Sequence, residues 1–151
     1  MVREFDALAW MLDHGLPAPT PLVALVWRRL GFVARSTLVT SAFPGTAASE
    51  LLPDLGAAER NEVAAAIGTL VGTLHSLGFR DRNLDLRNLL VESTTNGWRI
   101  AKIDSPRHVL RPPGKREDAW TRADWQRLRK QLDPLGLADV AFAAATRTRR
   151  S

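Results

Sequence analysis

The chain has 151 residues, 45% of them apolar, enough to build the core of one compact domain. No apolar run approaches the ~18 residues of a membrane-spanning helix, and the absence of cysteine excludes disulfides and thiolate zinc sites. Charge is uneven: residues 1–98 carry 8 basic and 10 acidic side chains and residues 99–151 carry 13 and 6, so a weakly acidic half precedes a strongly basic one and the whole is +5.

The first element reads as a helix over Val2–His14, with Phe5, Leu8, Ala9 and Leu12 at the spacing that buries one helical face. Gly15 supplies its stop, and Pro17 and Pro19 forbid continuation. The start, MVREFDALAW, lacks the basic-then-apolar layout of a secretory signal, so a cytoplasmic location is expected. Two runs rich in Val, Leu and Thr follow, Leu22–Arg28 and Phe32–Ser41; the glycine turn between them predicts a β-hairpin. PGTAASELLPD reads as a linker into a short helical segment. The most regular helix spans Ala57–Leu77, where Val63, Ile67, Leu70, Val71, Leu74 and Leu77 form one stripe and Gly78 ends it. Asn88–Glu92 and Trp98–Ile103 read as a second hairpin around Asn96–Gly97. PRHVLRPPGKRED has too much proline and charge for regular structure. Two final helices are expected, Arg122–Leu132 with Trp125, Leu128 and Leu132 on one face, and an alanine-rich one near Ala138–Ala145. This order is mixed α+β, without the alternation a parallel sheet needs.

The basic half favours anionic partners, though a solvated arginine-rich surface explains the tail TRTRRS as well. No stretch combines basic and aromatic residues as nucleic-acid modules do, so nucleic acid is not expected as a partner. His14, His75 and His108 match no zinc spacing, and His75 reads as a structural histidine at a helix end. Trp98, Trp120 and Trp125 read as core or rim packing rather than a binding cage.

Between the long helix and the second hairpin lies GFRDRNLDLRNLLVE, residues 78–92, crowded with Arg80, Asp81, Arg82, Asn83, Asp85, Arg87 and Asn88. A helix, a polar loop and a hairpin ending in aspartate is the order found around the catalytic loop H-R-D-x-x-x-x-N of protein kinases. Aligned on Asn88, position 83 falls at the catalytic carboxylate and Asp104, in IDSP, at the metal-binding aspartate. Gly45 falls at the hinge between lobes.

From about Arg3 to Leu132 the chain resembles the lipopolysaccharide kinase family, the Kdo and heptose kinases of the inner core. DRNLDLRNLLV (Asp81–Val91) is similar to that family's loop, and REFDALAWMLDHGLPAPTPL to its helix C and the strand entry after it. The resemblance implies a protein-kinase-like fold, with residues 1–44 a remnant of the N-lobe (helix C, hairpin, hinge), 45–146 the C-lobe and 147–151 a basic tail. It implies ATP and Mg²⁺ as cofactors, with Asn88 and Asp104 holding the metal and Thr40, Ser41, Ala42 and Phe43 bordering adenine. It places Glu4 where helix C pairs with a nucleotide-binding lysine. The substrate implied is an anionic glycolipid, met at the inner-membrane surface, onto a sugar hydroxyl of which the γ-phosphoryl group is moved. Arg82 and Arg87 are candidates for substrate phosphates, with a solvated loop face as the competing reading.

Two departures are visible. The catalytic aspartate is replaced by Asn83 and the preceding histidine by Asp81; an asparagine orients a hydroxyl but has no useful basicity. Asp81 or Asp85 stands near enough in sequence to substitute. No G-x-G-x-x-G or G-x-x-x-x-G-K-[ST] occurs, and Lys102 and Lys115 come too late to serve as the nucleotide-binding lysine. The N-lobe is therefore expected to be incomplete. The alternatives are an active kinase, a catalytically inactive pseudokinase with a binding or scaffold role, and a truncated remnant.

Overall fold

The computed structural model describes residues 2–112 and 119–148. Among the described residues, five helices and seven strands are α+β in arrangement. Helix α1, Val2–Asp13, ends at Gly15, whose φ of 70° is the left-handed conformation that stops a helix. Its buried face is Glu4, Ala7, Leu8 and Met11, one position out of phase with the expected stripe: Phe5 and Ala9 are half-buried and Leu12 lies on the surface. The helix is turned so that a glutamate, not a phenylalanine, enters the interior.

Strands β1 (Pro21–Arg29) and β2 (Phe32–Thr40) form the first hairpin, antiparallel from Pro21↔Thr40 to Arg29↔Phe32, with Leu30 and Gly31 turning at positive φ. Leu22, Leu25, Trp27 and Phe32 remain exposed on it. The expected linker contains a two-residue strand, β3 (Thr46–Ala47), which pairs with Val91 and Leu90 before the short helix α2 (Ala48–Leu51). Gly45 makes this approach possible, since a Cβ there would lie 2.9 Å from the Val91 carbonyl oxygen.

Helix α3, Ala57–Ser76, is the axis of the core. It starts where the Glu59 carboxylate accepts the Gly56 N–H at 3.1 Å, and it buries Val63, Ile67, Leu70, Val71 and Leu74. Gly78, at φ 91°, turns the chain into β4 (Phe79–Arg80), which pairs with β7 (Val109–Leu110). That small ribbon draws on the segment expected to be irregular; the later part of that segment, residues 113–118, lies outside the described residues. Strands β5 (Leu89–Thr94) and β6 (Gly97–Lys102) form the second hairpin. Asn88 belongs to the preceding 3-10 turn rather than to the strand, and the loop is Thr95–Asn96 with Gly97 alone at positive φ.

Helix α4 runs Ala119–Leu132 and buries Trp125, Leu128 and Leu132 as expected. Helix α5, Ala138–Thr148, lies along α3 at close quarters: a Cβ on Gly68 would sit 1.9 Å from the Ala141 carbonyl oxygen, and one on Gly72 2.8 Å from that of Ala145. Of the basic tail, residues 149–151 lie outside the described residues. Among the described residues no helix is long and apolar enough to cross a membrane.

Candidate active site

The loop after β4 cannot follow a helical or extended path, because Arg82 stands at φ 62°, a left-handed conformation costly for a side chain with a Cβ. The compensation comes from α4. Asp124, buried, accepts the backbone N–H of Arg82 on Oδ1 at 2.9 Å and that of Asp81 on Oδ2 at 3.1 Å; the same Oδ2 meets His75 Nε2 at 3.1 Å. One carboxylate thereby ties the loop to the end of α3 and to α4. Leu84 and Leu86 are buried anchors further on, and the Leu86 N–H donates to Gln131 Oε1 at 3.0 Å. Sequence reasoning missed Asp124; the only sign of it is an aspartate directly beside the core residue Trp125 in a helix.

Fixed in this way, the loop brings its two asparagines to Asp104. Asn83 Nδ2 donates to Asp104 Oδ2 at 2.8 Å and to the Asp104 carbonyl oxygen at 3.0 Å. Asn88 Nδ2 lies 3.4 Å from the same Oδ2 and 3.3 Å from the Asn83 carbonyl oxygen. On the other side, Arg127 Nη1 donates to Asn83 Oδ1 at 3.3 Å. The carboxamide at 88 and the acid at 104, sixteen residues apart in sequence, thus converge within one hydrogen-bond shell. Asp104 is itself at φ 57°, a second strained position within the same few ångströms.

Asp81 goes elsewhere. Its side chain is buried and paired with the fully buried Lys102, Nζ to Oδ2 at 3.2 Å. Burial raises its pKa above the ordinary carboxylate value, with Lys102 opposing the shift. Lys102 also donates to the Ile103 carbonyl oxygen and lies 3.5 Å from that of Asp104, so it braces the backbone that presents the Asp104 carboxylate. Asp85 is occupied by its own turn: Oδ1 accepts the Arg87 N–H at 3.0 Å, and the Arg87 side chain holds its pKa down.

Above Asp104, Glu4 enters from α1. Burial raises its pKa, against the pull of Lys102 and of the nearby backbone of Ser105 and Asp104. Glu4 Oε2 is buried, with no hydrogen-bond partner among the described residues. Glu4 and Asp104 open onto a cleft of about 460 Å³ lined by Leu8, Pro19 and Leu38 from above, Leu90 and Ile103 from below, and Thr40, Ser41, Ala42 and Phe43 along the connection between them. Ser41 is pinned, its N–H donating to the Thr20 carbonyl oxygen at 2.9 Å and its Oγ accepting the Thr20 N–H at 2.8 Å.

Every residue proposed from the sequence for nucleotide or metal therefore borders this one cleft or its mouth, as does Asn83 of the two proposed catalytic residues, while the other, Asp81, is turned to the buried Lys102. No group of three or more histidine, aspartate or glutamate side chains arranged for a metal occurs among the described residues. The Asp104 carboxylate is a hard donor of the kind magnesium selects, and Asn88, whose Nδ2 faces that carboxylate, would offer its amide oxygen once the carboxamide turns over. This pair fits a cation at the mouth of the cleft, where Asp104 opens.

Residues 1–147 match the family model described as lipopolysaccharide kinase (Kdo/WaaP) family. Two curated relatives, the 3-deoxy-D-manno-octulosonic acid kinases of Xylella fastidiosa strains M12 and 9a5c, are each 27% identical to the chain over 131 residues. That alignment covers 87% of this chain and 49% of each relative, so the chain spans about half the length of the curated proteins it matches. Among solved structures, WaaP in complex with acyl carrier protein superimposes with a TM-score of 0.75 at 19% identity, over 97% of this chain and 64% of that one. The likeness extends the protein-kinase-like fold over nearly the whole chain.

Proposed function

The chain belongs to the lipopolysaccharide kinase (Kdo/WaaP) family, and from that premise we propose that its cleft binds ATP with magnesium and serves transfer of the γ-phosphoryl group to a sugar hydroxyl of the lipopolysaccharide inner core. The observation that carries this reading is the convergence of Asn83, Asn88 and Asp104 at the mouth of a cleft walled by Glu4 and Thr40–Phe43. In this reading residues 1–44 contribute the upper wall and 45–146 the floor, a division that follows the cleft.

Asp104 and Asn88 would hold the magnesium, which when bound neutralises charge on the phosphates. Thr40–Phe43 edge the base, and with the Ser41 N–H engaged by Thr20 the backbone of Ala42 and Phe43 is what is left to meet it. Asn83 orients the acceptor hydroxyl through its carboxamide but cannot remove the proton. Loss of a general base lowers the rate by about 10²–10⁴-fold, which leaves a slow reaction resting on positioning and electrostatics. The basic half of the chain is where an anionic glycolipid, presented at the membrane's cytoplasmic face, would approach.

A thermal-shift titration tests this directly: Mg²⁺-ATP raises the melting temperature, and ATP in EDTA raises it less. An unchanged melting temperature at millimolar Mg²⁺-ATP would remove the nucleotide from the reading. A second reading, nucleotide binding without turnover, is favoured by the Asn83 amide, which satisfies Asp104 with a hydrogen bond where a carboxylate would demand a cation. Binding in the shift assay together with no phosphate transfer at high enzyme concentration supports that reading over the first.

A further inference from the structure

Beside the site, on the side away from the nucleotide cleft, lies a second cavity of about 240 Å³ lined by Arg82, Arg107, Trp120, Ala123, Asp124 and Arg127. Its chemistry is unusual for a surface hollow. The Arg82 guanidinium carbon sits over the Trp120 ring, 3.9 Å from its centroid, a cation–π contact that holds the fork at the cavity. Arg107 and Arg127 enter from the segment after Asp104 and from α4.

Among the described residues the one carboxylate lining this cavity, Asp124, is already committed to the N–H groups of Asp81 and Arg82 and to His75. Among the described residues no carboxylate forms an ion pair with Arg82, Arg107 or Arg127, whereas Arg87, Arg99 and Arg129 each have one. Three guanidinium groups gathered with no ion-paired carboxylate among the described residues repel one another, Asp85 acting on Arg127 only at longer range. Such a cluster, with one member stacked into place, is complementary to a compact anion, and guanidinium forks match phosphate in bidentate geometry.

We propose that this cavity is an anion subsite that takes a phosphate monoester carried by the acceptor. Arg127 ties the subsite to the chemistry, since it lines the cavity and donates to Asn83 Oδ1 at 3.3 Å. A phosphate seated on Arg82 and Arg107 places the sugar bearing it alongside Asn83. The subsite selects acceptors that are already phosphorylated and anchors the hydroxyl to be modified at a set distance. Its role toward an acceptor rests on the function proposed above; the binding of the anion does not, and it is measured without nucleotide.

The test compares the wild type with Arg107→Gln and, as a charge-matched control on the exposed face of α4, Lys130→Gln. Binding of inorganic phosphate, mannose 6-phosphate and mannose is followed by calorimetry in the absence of ATP. The expected result is that both phosphates bind the wild type, mannose does not, and mannose 6-phosphate binds more tightly than inorganic phosphate. Arg107→Gln weakens phosphate binding by roughly tenfold or more, as loss of a charged hydrogen bond requires, while Lys130→Gln leaves it unchanged. Absence of phosphate binding, or equal weakening in both variants, overturns the subsite. Inorganic phosphate held as tightly as the sugar phosphate overturns its assignment to the acceptor. The Mg²⁺-ATP melting shift, measured on the same proteins, reports separately on the nucleotide cleft, so failure of one reading is distinguishable from failure of the other.

Discussion

Replacing Asn83 by aspartate converts the site from one satisfied by hydrogen bonds to one that requires a cation. In the wild type the Asn83 amide donates at 2.8 Å to the Asp104 carboxylate and at 3.0 Å to its carbonyl oxygen. In Asn83→Asp the donor becomes an acceptor. A hydrogen bond to a charged group, about 1.5–3 kcal/mol, is lost. Two carboxylates then face each other at hydrogen-bond distance, where repulsion amounts to about 1 kcal/mol in water-like surroundings and about 4 kcal/mol at a protein surface. Both groups reach solvent and can rotate apart, and Arg127 attracts the new charge, so the lower end of each range applies. The net loss is roughly 2 kcal/mol, which for a chain of this size lowers the melting temperature by about 4–8 °C in EDTA. Millimolar Mg²⁺ restores much of that loss in the variant, because two carboxylates are better ligands for a hard cation than one. The wild type responds less. Differential scanning fluorimetry with EDTA and with Mg²⁺ measures both effects, and a phosphate-transfer assay with Mg²⁺-ATP should show a faster variant by up to about 10²–10⁴-fold. Equal melting temperatures for Asn and Asp in EDTA, with no added response to Mg²⁺, would refute the reasoning, since the two side chains would then not share a site with Asp104.

Lys102→Met leaves the Asp81 carboxylate buried without its cation, and breaking such a pair costs about 3–5 kcal/mol; urea unfolding should show that loss, and the double change Lys102→Met with Asp81→Asn should recover part of it. A destabilisation below about 1 kcal/mol would mean the pair is solvated. Glu4 is expected to impose a pH dependence. Because burial raises its pKa in the folded state, the folded chain holds this proton more firmly than the unfolded one, and stability from this group, complete below the unfolded pKa, is lost as pH rises through the folded value. Glu4→Gln should therefore melt with the wild type in acid and above it at neutral pH, the gap opening as pH rises past the ordinary carboxylate range. A gap independent of pH would show that the glutamate is not buried in its charged form.

Most of the fold was legible because it follows local rules. The α3 stripe, the stop at Gly78 and the two hairpins depend on periodicity and turn chemistry within a few residues, and the structure has them within a residue or two. The miss on α1 has a physical cause. Phe5, Leu8, Ala9 and Leu12 make the better hydrophobic face, but the helix is rotated to bring Glu4 to the backbone of Asp104 and Ser105. No local pattern in the first fourteen residues records a partner a hundred residues away. The ribbon of Phe79–Arg80 with Val109–Leu110 was hidden for a similar reason, since two-residue strands have no periodicity and are defined by their pairing. For the site, resemblance supplied the register of Asn83, Asn88 and Asp104. It could not supply Asp124 or the burial of Lys102, which are visible only once α4 and β6 are placed around the loop.

Those two residues bear on how a loop with an altered catalytic position keeps its shape. Arg82 and Asp104 are both held at positive φ, and each such residue costs of order 1–3 kcal/mol. The Asn83 amide holds the Asp104 carbonyl oxygen at 3.0 Å, but the larger share of the opposing contacts comes from elsewhere: Asp124 grips the N–H groups of Asp81 and Arg82, and Lys102 donates to the carbonyl oxygen of Ile103 and lies 3.5 Å from that of Asp104. Replacing aspartate by asparagine at 83 therefore changes the charge at the mouth of the cleft without removing what maintains the bend. The pairing of Asp81 with Lys102 follows the same logic. With Asp81 where the family loop carries a histidine, the interior gains a negative charge, and a buried lysine on the neighbouring strand meets it at 3.2 Å. A loop whose geometry is secured from behind in this way keeps its shape whichever side chain stands at position 83, and under the proposed function binding and turnover become separable properties of the same residues.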